Sequence, residues 1–172
     1  MSGDPVRGEP VSEQDRAIVA RQLGRPPRAM VAIGHRCPCG QPDVVETAPR
    51  LEDGTPFPTL YYLTCPRASA AASRLESAGR MREWQDQLGT DEELAAGYRA
   101  AHEAYLAARD GRGVLPTRAT AGGMPDRVKC LHALAAHALA AGPGVNPVGD
   151  RALAGMGEWW APGPCAQPEQ EA

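Results

Sequence analysis

TLYYLTCPRASAAASRLESA, residues 59–78, changes its hydrophobic period half-way along. Thr59–Thr64 is a short β-type run rich in β-branched and aromatic residues. From Pro66, which suits a first helical position, Ala68, Ala71, Ala72, Leu75 and Ala78 recur at three- and four-residue steps. A strand therefore hands over to a helix at Cys65-Pro66, and the chain divides there. Upstream lie two more β-type runs, Met30–Ile33 and Val44–Thr47, parted by a Cys/Pro/Gly turn. Glu52–Pro56, with Asp53-Gly54 as a good turn pair, separates the second from the third, so a small antiparallel sheet is expected. Before the sheet, Ser12 reads as the N-cap of a helix with Ile18, Val19 and Leu23 on its apolar stripe, stopped by Gly24 and Pro26-Pro27.

Downstream the spacing predicts helices only. One runs from about Arg80 to Leu88, and a Thr90/Glu93 capping box opens a longer one to about Arg109. Residues 110–124 read as a loop, and Pro125-Asp126 as the start of the last strong helix, Arg127–Ala141, ended by Gly142-Pro143. The expected class is α+β: an N-terminal helix, a small antiparallel sheet of about three strands, then a helical C-terminal half. Residues 12–155 form a single domain in this reading, with a disordered lead-in at 1–11 and a Pro/Gly-rich tail at 156–172. Trp159-Trp160 are expected to cover the domain's own helices.

Composition narrows the function. Leu, Ile, Val and Phe make only 26 of 172 residues while Ala alone makes 30, so the core must be built from small side chains. A net charge of −3 is too small to hold such a chain unfolded. No apolar run is long enough to span a bilayer, and the start of the chain has no apolar signal region, so no membrane insertion and a cytoplasmic location are expected. Scattered arginines with a pI near 5.8 give no basic patch, and hence no expectation of nucleic-acid binding. In a reducing compartment, five cysteines and four histidines point to metal or thiol chemistry before disulfides.

The candidate residues fall in three segments: HRCPCG at 35–40, TCP at 64–66, and KCLH at 129–132 with His137 beyond it. Cys37 and Cys39 are separated by one residue, which makes joint ligation awkward, and Cys37 is the preferred ligand. On a regular helix, residues seven apart differ by only ~20°, so Cys130 and His137 share a face, whereas His132 sits roughly 160° from Cys130. Cys37, Cys65, Cys130 and His137 would make a Cys₃His set that suits zinc, with an iron–sulfur cluster as the alternative. For each residue the plain alternative is a small buried hydrophobe or a packed histidine. A different chemistry is a thiol enzyme or redox sensor using Cys65, whose thiolate a helix N-terminus would stabilise. Cys165, alone in the tail, reads as a free thiol without a role. GGMP at 122–125 reads as a loop before a helix, and the only lysine, Lys129, as solvated surface.

The runs LGRPPR (23–28), HRCPCGQPDVVET (35–47), DGTPFPTLYYLTCPR (53–67), AGGMPDRVKCLHALAAHALA (121–140) and GVNPVGD (144–150) resemble the actinobacterial domain-of-unknown-function 501 family. The resemblance covers roughly residues 12–155, and its pattern maps onto Cys37, Cys65, Cys130, His132 and His137. It implies no established reaction. The genes of the family commonly neighbour those for enolase, a septum-formation initiator and an exopolyphosphatase, which implies a protein partner in cell division. The family motif names His132 where helical geometry favours His137, so both stay open as the partner of Cys130.

Overall fold

The computed structural model describes residues 8–166. Residues 1–7 of the expected lead-in and 167–172 of the expected tail lie outside the described residues. Helix α1, Glu13–Leu23, starts in a reciprocal cap: Ser12 Oγ accepts from the Asp15 N–H at 3.0 Å, and Asp15 accepts from the Ser12 N–H at 3.2 Å. Gly24, at φ 71°, ends it in the left-handed conformation that a residue without a Cβ adopts freely.

Strands β1 (Met30–Arg36), β2 (Pro42–Thr47) and β3 (Tyr61–Leu63) form one antiparallel sheet in the order β1-β2-β3. The central strand is buried from end to end because both of its faces are covered. Val45 packs with Val19, Met30 and Ile33 beneath α1. Val44, its neighbour in sequence, faces the other way and joins Tyr61 in the main core. On β3 Tyr61 points in and Tyr62 out, as strand alternation requires. Glu9 adds a short antiparallel bridge to Ile33, so residues 8–9 lie along the sheet edge.

The helical half comprises α2 (Pro66–Ser77), α3 (Arg80–Leu88), α4 (Glu92–Asp110), α5 (Leu131–Ala141) and α6 (Pro147–Met156). With N-terminal helix, three-stranded antiparallel sheet and helices in that order, the fold is α+β. Helix α5 lies at the centre and packs against α2, α6 and β3, burying Leu131, Leu134, Ala135, Ala136, His137 and Ala138. Small side chains let the backbones approach closely. At Gly149 of α6 an added Cβ would lie 2.3 Å from the Leu134 carbonyl oxygen. Large residues then fill the edges: Tyr98 and Tyr105 from α4, Trp84 from α3, and Trp159 from the C-terminal segment. Trp159 does cover the domain's own helices, with Trp160 edge-on against it. No described helix is long and apolar enough to cross a membrane.

Three local expectations are corrected. The N-cap of α4 is Asp91, whose carboxylate accepts from the Leu94 N–H at 3.0 Å, while Thr90 closes the last turn of α3 by bonding the Gln87 carbonyl. Helix α5 starts at Leu131 and not at Arg127. The backbone before it is bonded by side chains of other helices: the Val128 N–H donates to Gln85 and the Arg127 carbonyl accepts from the Tyr98 hydroxyl. Those groups are then unavailable to a helical ladder. Helix α6 follows the last helix expected from the sequence; Asn146 caps it by accepting from the Gly149 N–H, and Pro147 takes its first position.

Candidate functional site

The late start of α5 decides the site. Cys130 is its N-cap, with extended backbone at φ −152° and ψ 107°, so helical geometry does not govern where its side chain points. Cys130 Sγ lies 4.0 Å from Nδ1 of His132, two residues on, and Glu76, in the last turn of α2, brings Oε1 to 3.2 Å from the same nitrogen. Glu76, Cys130 and His132 each offer one ligand atom within 4.8 Å of the others, and among the described residues no other group of three His, Cys, Asp or Glu side chains converges in this way.

His132 and Glu76 are oriented from outside the group. His132 Nε2 lies 3.1 Å from the Ser69 carbonyl oxygen and 3.1 Å from Ser73 Oγ. A carbonyl can only accept, so Nε2 donates its proton there and Nδ1 is the nitrogen that faces Glu76. Oε2 of Glu76 accepts from the Leu131 N–H at 3.2 Å, one of the orphan donors at the start of α5, leaving Oε1 for the group. At 3.2 Å from a carboxylate oxygen, Nδ1 either donates a proton to Glu76 or offers a lone pair to a metal cation held between them. An imidazole that donates from one nitrogen to a carbonyl and offers the other inward is the usual setting of a metal-ligating histidine.

The other residues singled out in the sequence lie elsewhere. Cys37, Cys65 and His137 do not join the group, so the expected Cys₃His set does not converge. His137 is a core residue at 2% exposure, stacked on Tyr61 at 5.7 Å and edge-on to Tyr105 at 5.1 Å, and its Nδ1 accepts from the Asn146 amide at 3.1 Å. Burial pushes its pKa down to about 4. The face shared by residues 130 and 137 exists only if the helix already includes Cys130, and it does not. The group lies between the last turn of α2 and the start of α5, which the Leu131 N–H to Glu76 bond joins.

Cys37 is buried after β1, and burial first, then the neighbouring Cys39 and Asp43, pushes its thiol up to about 12. Cys65 holds the N-cap position of α2 as expected, but its thiol is pushed above the ordinary range. The causes are its hydrogen bond with the Cys165 thiol and its burial, which outweigh the helix terminus. The acidic thiol is Cys165, lowered to about 6 mainly by that same bond, with further help from Gln22 and Arg67. Glu76 and Cys165 had no signal in the sequence, since the residues that give them meaning lie more than fifty positions away.

A family model described as "Protein of unknown function (DUF501)" matches residues 33–154. The chain belongs to the DUF501 family. Every residue of the converging group lies inside the matched span, whereas Cys165 lies beyond it. No curated protein and no solved structure matches this DUF501 chain.

Proposed function

We propose that this DUF501 protein binds a zinc ion through Glu76 Oε1, Cys130 Sγ and His132 Nδ1. The observation that carries the reading is His132 Nδ1, which faces a carboxylate oxygen at 3.2 Å and the Cys130 sulfur at 4.0 Å while Nε2 is committed to the Ser69 carbonyl. One thiolate, one imidazole and one carboxylate are the ligand types that zinc accepts together. An iron–sulfur cluster needs several thiolates, and this group has one. Bound here, the ion joins the last turn of α2 to the first turn of α5. It would contribute stability because the unfolded chain has no such site. Three protein ligands leave a fourth position for water, and the His132 and Glu76 side chains are 28% and 22% exposed, so solvent reaches the group.

The test is elemental analysis of the full chain, purified without a histidine tag and equilibrated with zinc. The expected result is about one equivalent, falling below about a tenth in Cys130→Ser and His132→Asn. Circular dichroism checks that these variants keep their helices. Less than about a tenth of an equivalent in the parent protein would overturn the reading, as would undiminished zinc in both variants.

A further inference from the structure

Two proline-bearing runs take no part in the zinc group, LGRPPR at 23–28 and DGTPFP at 53–58, and the fold sets both on the walls of one cleft. On one side α1 stops at Gly24, and Pro26-Pro27 restrict the backbone beyond it. On the other, the turn is closed by its own bonds. The Leu51 N–H donates to the Thr55 carbonyl at 2.9 Å, and the Phe57 N–H to the Pro49 carbonyl at 2.6 Å. Between them lies an outer cleft of about 560 Å³. A deeper one of about 260 Å³ shares Arg25, Pro27, Arg28 and Leu51 with it. Together they reach the size of a small-molecule site.

The deeper cleft has an apolar body and a cationic rim. Leu23, Leu51 and Phe57, all half-buried, surround the buried Val45, and Tyr62 stands exposed beside them. Large apolar side chains are scarce in this chain, yet here three of them, the only phenylalanine included, keep area that an apolar ligand would cover. Above them stand two guanidiniums. Among the described residues neither Arg25 nor Arg28 forms an ion pair, and Arg25 reaches only the Pro26 carbonyl, at 3.4 Å. Beside Arg28, Ala29 is held at φ 52°, the one positive value for a non-glycine residue among those described, and its carbonyl accepts from the Ala48 N–H at 2.8 Å. Such strain persists where the surroundings fix it, and it sits at this rim. Glu52 and Asp53 line only the outer cleft, and the Asp53 carboxylate accepts from the Thr55 N–H at 2.9 Å.

We propose that this cleft binds a small organic carboxylate with an apolar body. The carboxylate lies between Arg25 and Arg28, and the body covers Val45 against Leu23, Leu51 and Phe57. Guanidinium donors match the two oxygens of a carboxylate. A single negative charge suits the site, because a phosphate monoester brings nearly two and the acidic residues of the outer cleft oppose the second. A carboxylate without an apolar body leaves the deeper cleft uncovered, and an alcohol leaves the arginines unpaired, so binding needs both halves. None of these residues belongs to the zinc group, so the two sites are tested separately.

The experiment titrates the zinc-equilibrated, nitrogen-15-labelled full chain with octanoate and follows the backbone amides by NMR. Octanoate should bind with a dissociation constant of about 1 mM or tighter, and the shifts should centre on residues 23–29 and 45–62. Octanol, octyl phosphate and acetate should each bind at least about tenfold more weakly in the same titration. Arg25→Gln together with Arg28→Gln, both exposed positions, should weaken octanoate by about tenfold or more. The parent protein decides the matter without the variant. No saturable shift with octanoate, shifts centred on residues 69–76 and 130–132, or acetate, octanol or octyl phosphate binding as tightly as octanoate overturns the proposal. Undiminished octanoate binding in the folded double variant overturns it too.

Discussion

Acid should weaken this protein through His137, and the size of the effect follows from its surroundings. Asn146 is fully buried, and its Oδ1 is committed to the Gly149 N–H at the start of α6. The amide orientation is therefore fixed, Nδ2 faces His137, and Nδ1 must accept. A second proton would set N–H against N–H among two tyrosine rings, in a site that burial already makes hostile to charge. With the native pKa near 4 against about 6.5 in the unfolded chain, both states are neutral above pH 6.5 and the histidine has no effect there. As the pH falls, the unfolded chain takes up a proton that the native state refuses. Stability is lost progressively, by about 3 kcal/mol once the pH reaches 4. The assay is urea unfolding followed by tryptophan fluorescence from pH 7.5 to 4.5, with EDTA present so that zinc linkage is silent. His137→Gln keeps an acceptor for Asn146 and removes the titration. The parent should lose about 2–3 kcal/mol more than the variant across that range. Parallel stability curves would refute both the buried-neutral assignment and the network that imposes it.

Three further outcomes are expected. Gly149→Ala should cost about 1–3 kcal/mol or more, because the new methyl meets the rigid Leu134 carbonyl at 2.3 Å; Gly155→Ala, which meets only the flexible end of Leu75 at 3.0 Å, should cost less in the same urea titration. Arg109→Met should destabilise by about 3 kcal/mol, since a guanidinium at 1% exposure donates to the carbonyls of Thr117, Ala119 and Pro58. Hydrogen exchange should then rise first in residues 112–124, and unchanged protection there would count against the role of Arg109 as the anchor of that loop. Zinc in hundredfold excess over its dissociation constant should stabilise the metal-free chain by about 2.7 kcal/mol and leave His132→Asn unmoved; equal melting temperatures with and without zinc in the parent would contradict the tie between α2 and α5.

What could be read in the chain was whatever depends on neighbours within a turn or two. The period change at Cys65-Pro66, the Ser12 cap, the Gly24 stop and the Asp53-Gly54 turn are local signals, and each marks a boundary in the structure close to its expected place. The scarcity of large apolar residues was equally plain. Its structural meaning is close backbone approach, with Gly149 against Leu134 and the alanines of α5 and α2 in the core. The Asn146-Pro147 start of α6 was also a local signal, passed over because glycine and proline dominate its surroundings.

The candidate site depended on one boundary that no local signal sets. Residues 127–130 have a helix-compatible sequence, yet Gln85, Tyr98 and Glu76 satisfy the backbone groups of Arg127, Val128 and Leu131 from three other helices. Buried polar groups must be bonded by something, and here distant side chains outbid the helix. With Cys130 outside the helix, His132 replaces His137 as its partner, and Glu76 joins them from α2. By itself the sequence determined the class of fold, the small-residue core and the kinds of side chain available for chemistry, because these follow from local periodicity and composition. Tertiary structure alone decided which of those side chains meet, because that depends on where long-range hydrogen bonds end a helix.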